Sequence, residues 1–146
     1  MDIRLLMLSA VAIWGIAGLR AAGGPQATPD RTVWDGVYTA EQAKRGQPLY
    51  SQSCGSCHGV ALEGGEMAPP LTGGAFNANW NGLSLGDLFE RTRISMPQSS
   101  PGSLTRPQYA DIIAFMLSAG GFPEGKTELP QQTENLKQIA FLPTKP

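Results

Sequence analysis

The chain has 146 residues, 41% of them hydrophobic and 16% charged, with a formal net charge of −1, the scale of one small domain with appendages. So even a charge balance offers no basic face for nucleic acid and no field strong enough to steer a highly charged partner. Eighteen Gly and twelve Pro residues indicate a loop-rich chain with a modest apolar core, a size at which a covalent or metal staple commonly supplements packing.

In chain order, Leu5 to Leu19 form an apolar stretch behind Arg4 and ahead of small residues at Ala21 to Gly24. This reads as a secretory signal peptide over residues 1–23, too short for a ready membrane span. Asp2 and Arg20 depart from the usual pattern, and an uncleaved membrane anchor is the alternative. Without that segment the chain keeps 9 basic and 11 acidic residues. Residues 24–36 read as a Gly/Pro linker, although the segment from Thr32 through Trp34 to Tyr38 carries two aromatics and is expected to pack on the domain. The domain itself is expected over residues 37–121, followed by an extension over residues 122–146.

A first helix opens at Thr39, with Gln42 three residues on in a capping-box pattern, and runs towards Cys54. Ala43, Gly46 and Tyr50 share one face. Gly46 costs about 1 kcal/mol relative to Ala inside a helix, so its place on that face points to a second helix crossing at close range. Pro48 predicts a bend or short break. Gly59 to Gly74 reads as a loop. Ser84 and Asp87 signal a second helix carrying Leu85, Leu88, Phe89 and Thr92, which stops before Met96-Pro97 because a residue preceding proline disfavours helical backbone. After a polar loop, Thr105, Pro107 and Gln108 open a third helix. Its apolar residues Tyr109, Ile112, Ile113, Met116 and Leu117 repeat at helical spacing, and it ends at Gly120-Gly121. The tail holds one short helix around Thr133 to Ala140. The fold class is thus all-α.

The only two cysteines and the only histidine lie together as Cys54-Gly55-Ser56-Cys57-His58, the C-x-x-C-H spacing of covalent haem attachment. Two thiols three residues apart share one side of a helical turn and reach the two vinyl groups along one porphyrin edge, and the next residue aims an imidazole at the iron. A structural zinc centre needs four ligands, and this chain offers three groups of the usual kind. A thioredoxin-like pair requires a preceding strand in a βαβ context, where this chain shows a helical pattern. A plain disulfide leaves His58 without a role. Haem attached through two thioethers also implies export, since such attachment takes place outside the cytoplasmic membrane.

The second axial position has Met96 as its candidate, 38 residues after His58 and fixed between a helix end and a proline. A thioether sulfur favours Fe(II) and raises the potential. Met67, nine residues from His58, is the competitor, and Met116 sits on the apolar stripe of the third helix as core.

These residues resemble a class I c-type cytochrome from about Trp34 to Leu117. The resemblance is carried by Ala43-x-x-Gly46-x-x-x-Tyr50-x-x-x-Cys54, by Pro69-x-Leu71, and by Met96-Pro97 ahead of a final amphipathic helix. It implies three main helices around one covalently bound haem c. It also implies that Gly46 and Tyr50 lie at a helix crossing near Ile113 and Leu117, that the Pro69 carbonyl accepts a hydrogen bond from His58, and that Leu71 packs on the porphyrin. More narrowly, the run from Asn79 to Phe89 and the tail from Gly121 to Pro130 are similar to small bacterial cytochromes associated with quinoprotein dehydrogenases. That likeness implies a periplasmic, non-catalytic electron carrier with redox protein partners, working between a dehydrogenase and a respiratory acceptor. The alternatives are a dedicated subunit of a dehydrogenase or oxidase complex, docking through its tail and Trp34 segment, and a haem enzyme or sensor with a displaceable sixth ligand. Trp80 and Arg93 are either propionate partners or ordinary core and surface residues.

Overall fold

A computed structural model describes residues 29–146. The expected signal peptide and the first residues of the linker lie outside the described residues. The described elements are β1 (Arg31–Thr32), α1 (Ala40–Ser53), α2 (Gly55–His58), α3 (Gly73–Trp80), α4 (Leu85–Ser95), α5 (Arg106–Ala119), α6 (Thr133–Leu136) and β2 (Ile139–Ala140). The chain is mostly helical, as its sequence predicts, and α1, α4 and α5 are the three expected long helices.

The most extensive helix pairing is α1 on α5. Helix α1 buries Gln42, Ala43, Gly46 and Tyr50, one stripe at helical spacing. Helix α5 buries Tyr109, Ala110, Ile112, Ile113, Ala114, Met116 and Leu117. Complete burial of each Ile or Leu contributes about 1.5–3 kcal/mol, so this pairing is the main apolar support of the fold. Gly46 makes it possible: a Cβ there would lie 1.9 Å from the carbonyl oxygen of Asp111 and 3.0 Å from Cβ of Phe115. The crossing falls on the Asp111–Phe115 ridge, an i, i+4 pair that brackets Ile113. Tyr50 follows the same ridge, its ring centroid 5.4 Å from that of Phe115.

Four local expectations need correction. Helix α1 runs without a break through Pro48; Pro48 and Lys44, whose carbonyl loses its donor, are both exposed, so water can satisfy the freed group. Thr39 does accept the Gln42 N–H, but the Gln42 side chain does not return to complete a box. It is buried, donating to the Leu129 carbonyl at 3.1 Å and accepting the Leu129 N–H at 2.6 Å. Helix α3 falls partly in the expected loop; its Gly- and Asn-rich sequence has poor helix propensity, and it is held by Phe76, which packs edge-on against Phe141 and near Trp80. The tail helix is only Thr133–Leu136, and Ile139–Ala140 is instead a strand paired in parallel with Arg31–Thr32.

The boundaries at residues 37 and 121 do not separate structural units. Val33, Phe122, Leu129, Leu136, Ile139 and Phe141 belong to the same buried cluster as the helices. Trp34 donates its indole N–H to the Leu142 carbonyl at 2.8 Å. Trp34, Phe122, Phe141 and Phe76 form a chain of edge-on aromatic contacts, with centroids 5.0, 5.3 and 5.7 Å apart. Such pairs stabilise by about 0.5–1.5 kcal/mol each beyond their buried area. The aromatic content that marks the Trp34 segment in sequence thus joins it to the tail over α3.

Candidate haem site

Cys54 ends α1, and α2 is the single turn that carries the rest of C-x-x-C-H. The turn is hydrogen-bonded back to Cys54, whose carbonyl accepts from the Cys57 and His58 N–H groups at 3.1 and 3.0 Å. The buried Tyr50 hydroxyl donates to the Gly59 carbonyl at 2.6 Å, fixing the end of the turn to α1. Burial pushes the Tyr50 phenol up to about 12, so it remains a donor.

Both thiols are free, Cys54 half-buried and Cys57 exposed. Burial, with Cys57 close by, pushes the Cys54 thiol up to about 11. This is opposite to the lowered value of a redox-active C-x-x-C pair, whereas a neutral thioether carries no such desolvation cost. His58 is only 7% exposed, and its Nδ1 lies 2.7 Å from the Pro69 carbonyl oxygen. A carbonyl only accepts, so Nδ1 carries the proton, and Nε2 is left as the lone-pair donor for a metal. Among the described residues, no three His, Cys, Asp or Glu side chains converge as a metal-holding cluster.

Positioning of Pro69 depends on the loop that precedes it. Gly64 has φ +75°, and a Cβ on it would lie 2.5 Å from the Pro70 nitrogen and 2.8 Å from the Pro69 carbonyl carbon. Its N–H donates to the His58 carbonyl at 2.8 Å, and the Leu71 N–H donates to the Leu62 carbonyl at 2.9 Å. Leu62 also holds a positive φ of 61°, fixed by a side chain that is 2% exposed. Gly64, Leu62 and Gly59 escape a reading of local pattern, since nothing in a Gly-rich run says which glycine meets which backbone. Leu71 lines an apolar cleft with Phe76, Leu88, Leu117 and Phe141.

Met96 caps the C-terminus of α4 and is half-buried. Its N–H donates to the Thr92 carbonyl, and its own carbonyl accepts the Tyr109 hydroxyl at 2.7 Å. Met67 is 80% exposed and Met116 is in the core at 4%. The large exposed apolar residues include Val60, Met67 and Ile94, which flank His58 and Met96 in sequence. A buried, pre-oriented imidazole next to two free thiols fits a porphyrin held by thioethers. Trp80 is partly buried against the core, and Arg93 pairs with Glu90 of its own helix at 2.7 Å.

Comparison with known proteins agrees with this geometry. The profile of the family described as cytochrome c oxidase, cbb3-type, subunit III matches residues 41–116, the span from the start of α1 to the end of the apolar stripe on α5. The crystal structure of the sulfane dehydrogenase SoxCD from Paracoccus pantotrophus is similar in fold, with a TM-score of 0.50 and 23% identity over 83% of this chain and 68% of that one. No match is found among curated proteins. With C-x-x-C-H at the α1–α2 junction and the profile covering more than half of the sequence, the chain belongs to this family of c-type cytochromes, whose cofactor is haem c and whose work is electron transfer.

Proposed function

We propose that this protein is a non-catalytic electron carrier with a single haem c, held by Cys54 and Cys57 and ligated axially by His58 and Met96. When bound, the haem supplies a one-electron Fe(III)/Fe(II) couple. The observation that carries the reading is the His58 Nδ1–Pro69 carbonyl hydrogen bond at 2.7 Å, which presets the ring and its tautomer before any metal is met. Met96 is supported by its place at a helix end tied from two sides, and Leu71 by its N–H bond to the Leu62 carbonyl, which fixes it two residues after Pro69. With the sole histidine assigned to the iron, no second imidazole is left for acid–base work, which favours a carrier over an enzyme or sensor. A net charge of −1 supplies no strong electrostatic steering, which suits short-lived docking to other redox proteins.

The physiological setting follows from the attachment chemistry. The carrier works in the periplasm or an equivalent exported compartment, reached through the segment 1–23 as a cleaved signal or a retained anchor. There it passes electrons from a dehydrogenase, with a quinoprotein as the proposed donor, to a respiratory acceptor. The Trp34 segment and the tail pack into the domain's own core, which weighs against their being a docking surface of a dedicated subunit. Export of the full chain with the machinery for c-type haem attachment, followed by redox titration, tests the carrier reading. A reversible one-electron couple and a reduced form that does not bind carbon monoxide are expected. Rapid carbon monoxide binding by the reduced protein would instead establish an open or displaceable sixth site.

A further inference from the structure

Helix α4 is held very differently along its two halves. Its buried residues are Leu85, Gly86, Leu88 and Phe89. From Glu90 to Met96 no residue is fully buried by other protein atoms, so beyond what bound haem would cover, polar contacts hold this half to the domain. Local hydrogen bonds, such as Thr92 hydroxyl to Leu88 carbonyl and Ser95 hydroxyl to Arg91 carbonyl, hold the helix to itself but not to the domain. Apart from the bonds that the Tyr109 hydroxyl and the Gly102 N–H donate to the Met96 carbonyl, the side-chain tie from this half to the rest of the described residues is Glu90. Its carboxylate accepts from the Thr133 hydroxyl and from Arg106, 3.4 Å away, and pairs with Arg93 on the same helix.

Thr133 and Arg106 are themselves fixed. Arg106 donates from Nε to the Gln131 carbonyl at 2.9 Å and from Nη2 to the Thr133 hydroxyl at 2.7 Å, and its guanidinium lies 4.8 Å from the centre of the Phe89 ring. Thr133 opens α6, whose Leu136 is fully buried. The tail thus reaches back to α4 through a charged, hydrogen-bonded network, the kind of contact that fixes geometry more firmly than a lone surface ion pair.

We propose that Glu90, clamped by Thr133 of the tail and Arg106 of α5, is a positioning residue that holds the distal half of α4 in place and so keeps Met96 on the iron. The inference rests on the reading of Met96 as axial ligand. It gives the extension beyond α5 a function of its own: controlling how readily the sixth ligand leaves.

Imidazole binding to the ferric holoprotein measures that tendency, with loss of the Met–Fe(III) charge-transfer band as the readout. Glu90→Ala and Thr133→Val are expected to bind imidazole at least tenfold more tightly than the parent protein, while Thr133→Ser, which keeps the hydroxyl, stays within threefold. Gln42→Leu detaches the tail from α1 instead and serves as a control for general destabilisation; it is also expected to stay within threefold. If Glu90→Ala and Thr133→Val bind imidazole no more tightly than Gln42→Leu, or if Thr133→Ser behaves like Thr133→Val, the clamp is refuted while the ligand assignment stands. If the band of the parent protein survives Met96→Ala, both fall.

Discussion

Replacing Gly46 by alanine puts a methyl carbon 1.9 Å from the carbonyl oxygen of Asp111, 2.5 Å from its carbonyl carbon and 3.0 Å from Cβ of Phe115. An ordinary carbon–oxygen contact is about 3.3 Å or more, so α1 and α5 must separate by roughly 1.4 Å at the crossing. The obstructing atoms are mainly backbone and cannot rotate away. Overpacking of this kind costs about 1–3 kcal/mol, and rigidity at this contact places the cost at or above the upper end. Alanine recovers about 1 kcal/mol of helix propensity, leaving a net loss of about 2 kcal/mol. For a domain of this size that lowers the thermal midpoint by roughly 8 °C. Thermal and guanidinium unfolding of the ferric holoprotein measure it. Gly74→Ala in α3, where an added Cβ meets nothing within 4 Å, is the matched comparison and is expected to stabilise by up to about 1 kcal/mol. If Gly46→Ala lies within about 0.5 kcal/mol of the parent protein, the close crossing is not what positions the haem-bearing turn.

Three further outcomes follow from individual contacts. Gly64→Ala forces the Pro69–Pro70 backbone away from a residue at φ +75° and weakens the bond that the His58 Nδ1–H donates to Pro69; with a poorer acceptor for its N–H the imidazole is less basic and disfavours Fe(III), so the reduction potential should rise by on the order of tens of millivolts, an interaction of about 1 kcal/mol, as read by voltammetry. Gln42→Leu leaves the N–H and carbonyl of the buried Leu129 without partners, at about 2–3 kcal/mol, and should expose the stretch around Leu129 to limited proteolysis before the helices are cut, while Thr133, held by Arg106 and Glu90, stays in place. Hydrogen bonds from Arg93 and Thr133 hold the Glu90 carboxyl down at about 2, below its ordinary 4.5. Because the folded value is the lower one, its stabilisation is complete above pH 4.5 and is lost as pH falls towards 2. The stability gap between the parent protein and Glu90→Gln should therefore close over that window in acid unfolding followed by circular dichroism; a gap that stays constant would show that the carboxylate charge is not what stabilises.

The helices and the haem motif were legible because their signals are local. Helical spacing in Tyr109–Leu117, the Ser84–Asp87 cap and the five residues from Cys54 to His58 each lie within a few turns of chain. What escaped was non-local. Gln42 looks like half of a capping box, yet its partner is Leu129, 87 residues away. The packing of the Trp34 segment follows from its aromatics, but nothing local names its partner, the Leu142 carbonyl 108 residues away. Helix α3 has the composition of a loop and exists because Phe76 has Phe141 to pack against. The tail reads as an appendage because its buried residues, Phe122, Leu129, Leu136, Ile139 and Phe141, are spaced too irregularly to form an amphipathic pattern. Their order makes sense only against the surface they cover. At the site, C-x-x-C-H and Pro69 could be named in advance, whereas the dependence of Pro69 on Gly64 is a matter of which two backbones meet.

The optical spectrum of the exported, matured protein tests the central claim most directly, taken in oxidised and reduced states beside Met96→Ala. Covalently retained haem, a Met–Fe(III) charge-transfer band in the parent protein and its loss in Met96→Ala with the haem still attached are the predicted result. A chain that fails to retain haem covalently, or a band that persists in Met96→Ala and disappears in Met67→Ala, would contradict it.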